Sequence, residues 1–115
     1  MEDKHYLRFL LPEGLLEYFE VNDIKKESQH YIIYLEEKNV APAQYQQDKL
    51  LSKGFYDEVT IQDFPLRGRA CFLKVKRRRW HNETTGAVVS RDWELVAKGT
   101  RMTAEFAAFL KGIAR

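Results

Sequence analysis

Cysteine, histidine and long apolar runs are scarce in this chain of 115 residues. Its single cysteine, Cys71, excludes an intrachain disulfide and is typical of a reducing cytosol, so we expect a cytoplasmic protein. Cys71 and the histidines His5, His30 and His81 do not have the spacing of zinc ligands, so we expect no metal and no other cofactor. No stretch approaches the ~18 uncharged apolar residues of a membrane-spanning helix, and we expect no membrane partner.

Motifs of catalysis and secretion are also missing. Ser28, Ser52 and Ser90 stand in no G-x-S-x-G context, and the chain has no glycine-rich phosphate loop. The first five residues lack the basic-then-apolar pattern of a secretory signal. We therefore expect a protein that is not an enzyme by itself.

The residues that are present predict one α+β domain. Hydrophobic residues make up 44% of the chain and aromatic residues 13%, which is enough to form a core. We expect an N-terminal helix, an antiparallel sheet of about four to five strands with a protruding basic hairpin, and a C-terminal helix. We expect the helix and sheet to occupy residues 1–101 and an amphipathic helix to occupy 102–115, from which the chain can continue into a following segment. The predicted elements are a helix over 5–19, strands over 18–27, 30–37, 58–65, 70–80 and 87–96, and a final helix that Thr103 caps.

Charge is divided unevenly along the sequence. The net charge is +2, but residues 1–65 contain 7 basic and 13 acidic residues, a net of −6. Residues 66–101 contain 10 basic and 3 acidic residues, a net of +7. A basic segment in an acidic chain attracts polyanions locally, which favours a nucleic-acid surface.

The sequence from Lys74 to Trp80 is the most basic part of that segment. Four successive basic residues, 76–79, cannot share one face of a strand, because side chains alternate between faces. This predicts a strand that leaves the core near Val75 and continues as an exposed basic hairpin, with Arg91 and Trp93 on its partner strand. The candidate DNA-binding residues are Arg67, Arg69, Lys74, Lys76, Arg77, Arg78, Arg79, Trp80, Arg91, Lys98 and Arg101.

Two other interpretations of the basic segment stay open. In the first, Arg79 and Arg91 pair with carboxylates of the same chain and both tryptophans lie in the core, so that the basic run is structural. In the second, Trp80, Tyr56 or Phe72 stacks on unpaired bases of RNA.

Seven runs of sequence together resemble one protein family. The chain is similar to the N-terminal region of a bacterial insertion-sequence transposase, the short reading frame that precedes a DDE-type catalytic region. The resemblance spans nearly the whole chain. The runs are 11–15, 34–39, 54–65, 67–70, 76–80, 84–93 and 106–112.

The resemblance implies a function in transposition. It implies recognition of double-stranded DNA at transposon ends, with the catalytic residues in a separate or downstream DDE region that is a partner, and with a second copy of the chain as a further partner. The alternative is a docking module, in which the acidic half or the apolar stripe of the last helix (Phe106, Phe109, Leu110 and Ile113) recruits or dimerises the catalytic subunit.

Overall fold

Two sheets organise the described part of the chain. The structure is a computed structural model that describes residues 10–99 and 103–113. In chain order its elements are α1 (Leu15–Tyr18), β1 (Phe19–Lys26), β2 (His30–Glu37), a 3-10 turn (Ala43–Tyr45), β3 (Leu50–Phe55), β4 (Val59–Leu66), β5 (Arg69–Lys76), β6 (Arg78–Asn82), β7 (Val88–Ser90), α2 (Trp93–Gly99) and α3 (Ala104–Ile113). A four-stranded sheet has the order β1-β2-β5-β4, and a three-stranded sheet has the order β3-β6-β7.

The predicted α+β class is confirmed, with one difference in strand pairing. β1 pairs with β2, and β4 with β5, in the expected antiparallel sense. β2 and β5 are parallel, so the four-stranded sheet is mixed rather than antiparallel throughout. The segment between these two strands contains β3 and β4, and it is long enough to bring the chain back in the same direction.

The hydrophobic core lies on one face of the four-stranded sheet. Residues at alternate positions of the two central strands are almost fully buried there, as the period of two predicts. The helices cover this face, and the start of β1, in the same sheet, adds Phe19 to the core. The strand residues are Ile33, Leu35, Cys71, Leu73 and Val75, and those that cover them include Leu15, Phe19, Trp93, Phe106, Phe109, Leu110 and Ile113.

The N-terminal helix is shorter than the sequence predicts. Part of the predicted helix, residues 5–9, lies outside the described residues. Within them, α1 is a single turn that follows Gly14, whose φ of 93° is outside the helical region. Phe19 is already extended and pairs with Glu37. The β1–β2 pairing therefore ends the helix at Tyr18, although the apolar residues continue at helical spacing.

The predicted strand over 70–80 is divided between the two sheets. It forms β5 in the four-stranded sheet, breaks at Arg77, and continues as β6 between β3 and β7. The basic hairpin is therefore the β6–β7 pair, widened to three strands by β3. The prediction of an exposed arm was wrong for β6, because this strand is the central one of its sheet and all its residues are half-buried or buried.

The strand predicted over 87–96 is observed only over Val88–Ser90, so placing Arg91 and Trp93 on it was wrong. Asp92 Oδ1 accepts hydrogen bonds from the backbone N–H groups of Glu94 and Leu95, at 3.0 and 3.3 Å. This is an N-cap, and it starts α2 at Trp93. The Trp93 ring is buried and stacks on Phe19, with ring centres 5.3 Å apart.

The final helix begins as predicted but does not offer a free apolar surface. The hydroxyl of Thr103 accepts a hydrogen bond from the backbone N–H of Phe106 at 3.2 Å, which confirms the predicted cap. All four residues of its apolar stripe are buried in the core of the same chain, so the stripe is not available for docking a partner. Within residues 10–99 and 103–113, no helix has the length and apolar character needed to cross a membrane.

Candidate nucleic-acid interface

Arg77 lies at the point where the chain passes from one sheet to the other. Its Nη1 donates to the carbonyl oxygen of Ile113 at 3.2 Å, and its guanidinium lies 5.4 Å from the centre of the Tyr56 ring. A cation at the C-terminal end of a helix is favourable, because the helix dipole is negative there. Arg77 thus joins α3 to the junction of the two sheets.

Glu37, at the end of β2, is a buried carboxylate that receives two donors from the basic segment. Its Oε2 accepts from Arg91 Nε at 2.8 Å and its Oε1 from the backbone N–H of Arg78 at 2.9 Å. Only 1% of the residue is exposed. Burial raises the pKa of Glu37 above its usual value, and the hydrogen bonds from Arg91 and Arg78 oppose that shift.

Arg91 is enclosed by aromatic rings. Its guanidinium carbon lies between 5.2 and 5.9 Å from the ring centres of Tyr18, Trp80 and Trp93, and its Nη2 donates to the carbonyl oxygen of Val40 at 2.6 Å. Trp80 is itself 1% exposed. For Arg91 and the two tryptophans, the structure therefore agrees with the interpretation in which Arg91 pairs with a carboxylate of the same chain and both indoles are buried.

Arg78 and Arg79 have mostly neutral partners. Arg78 donates to the Ser52 hydroxyl and lies 4.6 Å from the centre of the Phe55 ring. Arg79 donates to the carbonyl oxygen of Lys53 at 3.3 Å and lies 5.7 Å from the Tyr56 ring. Carbonyls, hydroxyls and rings orient a guanidinium without cancelling its charge. The Glu37 carboxylate faces both Arg78 and Arg91, so it balances only one of these two positive charges.

The other candidate residues are spread over the molecule. Arg67 is exposed in the two-residue β4–β5 turn, and Lys98 is exposed in the last turn of α2. Lys74 and Lys76 lie on the face of β5 opposite the core, where Lys74 Nζ is 3.5 Å from the Thr60 hydroxyl. Arg69, half-buried, donates to the Tyr31 hydroxyl at 3.2 Å. Arg101 lies outside the described residues.

The two sheets differ in charge. The four-stranded sheet contains equal numbers of acidic and basic residues, five of each. The three strands of the other sheet, all within the described ranges, contain Lys53, Arg78 and Arg79 and no Asp or Glu. Strands that contain cations and no carboxylate favour contact with a polyanion.

The three-stranded sheet has one buried face and one outer face. On the buried side, Trp80 Nε1 donates to Asn39 Oδ1 at 2.9 Å and Asn82 Nδ2 to Asp48 Oδ2 at 2.8 Å. We call the opposite side the outer face. It consists of the cross-strand row Leu51, His81 and Val88 and of the next pair, Arg79 and Ser90, with Lys53 beside them at a β-bulge between Ser52 and Phe55.

Cys71 lies in the core, and its thiol is not activated. Burial, together with the nearby Asp63 carboxylate, raises the pKa of the Cys71 thiol to about 11, so it is protonated at neutral pH. Among the residues that the structure describes, no three His, Cys, Asp or Glu side chains are grouped so that they could hold a metal ion.

Sequence reasoning missed Glu37 and the outer-face residues Leu51, Lys53 and His81. Glu37 lies at a core position of β2, in the row of Ile33 and Leu35, and a carboxylate in a buried row indicates a buried partner. Leu51 and Lys53 lie in a segment whose sequence pattern favours neither helix nor strand, so no signal pointed to them.

Comparison with known proteins gives no relative. No protein-family model matches this sequence, no curated protein shows significant similarity to it, and no solved structure matches its fold.

Proposed function

We propose that this chain is a DNA-binding module that holds a DDE-type insertion-sequence transposase on transposon ends and performs no catalysis itself. The observation that supports it best is the three-stranded sheet, whose strands contain three cations and no carboxylate. The resemblance of the sequence to the N-terminal region of such transposases supplies the identity of the DNA.

The neutral partners of Arg78 and Arg79 also favour this proposal. Desolvating a guanidinium is costly unless it gains partners, and here Ser52, Lys53 and Phe55 hold the two side chains in place through a hydroxyl, a carbonyl and a ring. Charges that are positioned in advance lose little freedom when they meet a phosphate. The basic hairpin is therefore ordered before DNA arrives.

Salt titration of duplex binding tests the proposal. The affinity of the wild-type chain for a short duplex should fall as salt rises, and the double variant Lys53→Gln/Arg79→Gln should have a slope of log K against log salt that is shallower by about 1.8, because each lost phosphate contact removes about 0.9. Fluorescence anisotropy with labelled duplex measures both slopes.

The matched control removes two exposed cations from the four-stranded sheet. The variant Lys25→Gln/Lys26→Gln, on β1, should keep the wild-type slope. Lys53→Gln alone should give about half of the change of the double variant, and it leaves the packing of Arg79 on Tyr56 in place. A wild-type chain without salt-dependent duplex binding, or equal losses in both double variants, would overturn the proposal.

A further inference from the structure

The outer face of the three-stranded sheet combines exposed apolar side chains with cations. Leu51 is 49% exposed and Val88 is 50% exposed, and the register places both opposite His81, one on each side. Residues that are paired across strands lie on the same face. Two large aliphatic groups thus stand in solvent beside an imidazole.

The second row supplies hydrogen-bond donors. Arg79 is opposite Ser90 on β7, and its Nε donates to the backbone of Lys53 on β3. Lys53 lies two residues beyond Leu51 on β3, at the β-bulge between Ser52 and Phe55, and is exposed. Within the six residues of the outer face there is no carboxylate, so nothing on it repels a polyanion.

This combination matches the chemistry of one DNA groove. In the major groove, thymine presents a methyl group and guanine presents two acceptors that arginine or lysine contacts, whereas the minor groove has no methyl group. Three strands, ~5 Å apart, are about 10 Å across, and the major groove is about 12 Å wide. A face of this width can lie over the major groove so that its projecting side chains, rather than the sheet itself, enter the groove.

We propose that the outer face enters the major groove of duplex DNA and reads it, with Leu51 and Val88 against thymine methyl groups and Arg79 and Lys53 toward guanine edges or flanking phosphates. The proposal rests on the proposed function, and it adds which surface contacts the bases and in which groove. The contacts with bases then come from β3, β6 and β7, and Trp80 only supports β6 from the buried side.

Two probes of the wild-type chain test the groove. Duplex in which every cytosine is glucosylated 5-hydroxymethylcytosine has bulky groups in the major groove, and it should bind about tenfold or more weakly than the unmodified duplex. Netropsin, which fills the minor groove, should leave binding unchanged. If glucosylation has no effect and netropsin competes, the inference is overturned.

A pair of variants tests the face. Leu51→Glu/Val88→Glu should weaken duplex binding about tenfold or more, because it removes two apolar contacts and adds two negative charges. The matched control, Ile24→Glu/Leu95→Glu, changes exposed apolar residues of β1 and α2, and it should bind as the wild type does. Equal binding by both double variants would overturn the inference.

The outcomes separate this inference from the proposed function. If the chain binds duplex in a salt-dependent way, and neither glucosylation nor Leu51→Glu/Val88→Glu weakens that binding, the proposed function stands. The outer face is then not the surface that contacts the bases. Absence of duplex binding by the wild type rejects both. The glucosylation experiment uses the wild-type chain. It therefore tests binding in the major groove even if the double variant does not fold.

Discussion

Glu37 lies where three parts of the chain meet: the end of β2, the start of β6 and the segment before α2. Its carboxylate accepts from Arg78 and Arg91, and its carbonyl oxygen accepts from Arg78 Nε at 3.1 Å. A buried ion pair adds little net stability by itself, but removing one partner leaves an uncompensated charge in a low-dielectric site. The pair therefore makes the joint between the sheets specific.

Glu37→Gln should destabilise the protein by about 1–3 kcal/mol, since the amide has one acceptor oxygen and leaves either Arg91 Nε–H or the backbone N–H of Arg78 without an acceptor in a buried site. Urea denaturation followed by circular dichroism measures the change. The neighbouring variant Glu36→Gln, on the half-exposed opposite face of β2, should change stability by no more than about 0.5 kcal/mol.

The difference in unfolding free energy between wild type and Glu37→Gln should depend on pH, because the pKa of Glu37 differs between the folded and unfolded states. Because burial raises this pKa in the folded state, the folded chain holds the proton more tightly than the unfolded chain does. The contribution of Glu37 to the free energy of unfolding is therefore fully present below about pH 4.5, its usual pKa. Part of this contribution is lost as the pH rises through the folded-state pKa. The stability advantage of wild type over Glu37→Gln should be smaller at pH 7 than at pH 4.5, and a larger advantage at pH 7 would contradict this direction.

At the scale of elements, α3 approaches β4 so closely that a single methyl group matters. A Cβ added at Gly112 would lie 2.9, 3.0 and 3.2 Å from three side-chain carbons of Ile61. Alanine is favoured over glycine inside a helix by about 1 kcal/mol, whereas overpacking costs about 1–3 kcal/mol. We expect the overpacking to prevail, so Gly112→Ala should lower the unfolding free energy, as measured by denaturant titration.

A second substitution identifies the cause. In the Ile61→Ala background the space above Gly112 is free, so Gly112→Ala should there stabilise α3 or have no effect. If Gly112→Ala destabilises both backgrounds equally, contact with Ile61 is not the reason.

The elements that the sequence predicts well are those determined by local pattern. The run from His30 to Glu37, largely apolar or aromatic on both faces, predicts β2 with its observed limits, and Thr103 predicts the start of α3. The parallel pairing of β2 with β5 is non-local, and no period in either strand encodes it. The start of α2 had a local signal in Asp92, an N-cap residue, but the apolar run before it favoured a strand.

Charge alone identifies the basic segment in the sequence. It does not predict which residues of the segment are packed inside the protein. The partner that buries Arg91 is Glu37, 54 residues earlier in the chain, and the indole of Trp80 donates to a residue 41 positions away. Sequence spacing cannot reveal such partners. The exposed row of Leu51 and Val88 likewise arises only when β3 pairs with β6, because the two residues are far apart in the chain.

At the scale of the whole molecule, hydrophobic burial is concentrated in the four-stranded sheet and its helices. The buried apolar cluster includes residues of both central strands but not Trp80, the large buried side chain of the three-stranded sheet. Most of β3 is exposed, and β7 has only three residues. Segments with few buried contacts open at a lower free energy than the core does.

We therefore expect the three-stranded sheet to open before the four-stranded sheet. Hydrogen exchange followed by mass spectrometry at low urea measures the free energy of opening for each strand. It should be smaller for the amides of β3, β6 and β7 than for those of β2 and β5. Cys71 supplies an independent probe of β5, because its thiol is fully buried and its pKa of about 11 keeps it unreactive toward thiol reagents until the strand opens. Its labelling should follow the slower set of amides. Equal opening free energies for both sheets would show instead that Glu37 and Arg77 join them into one cooperative unit, and DNA would then bind a surface as stable as the core itself.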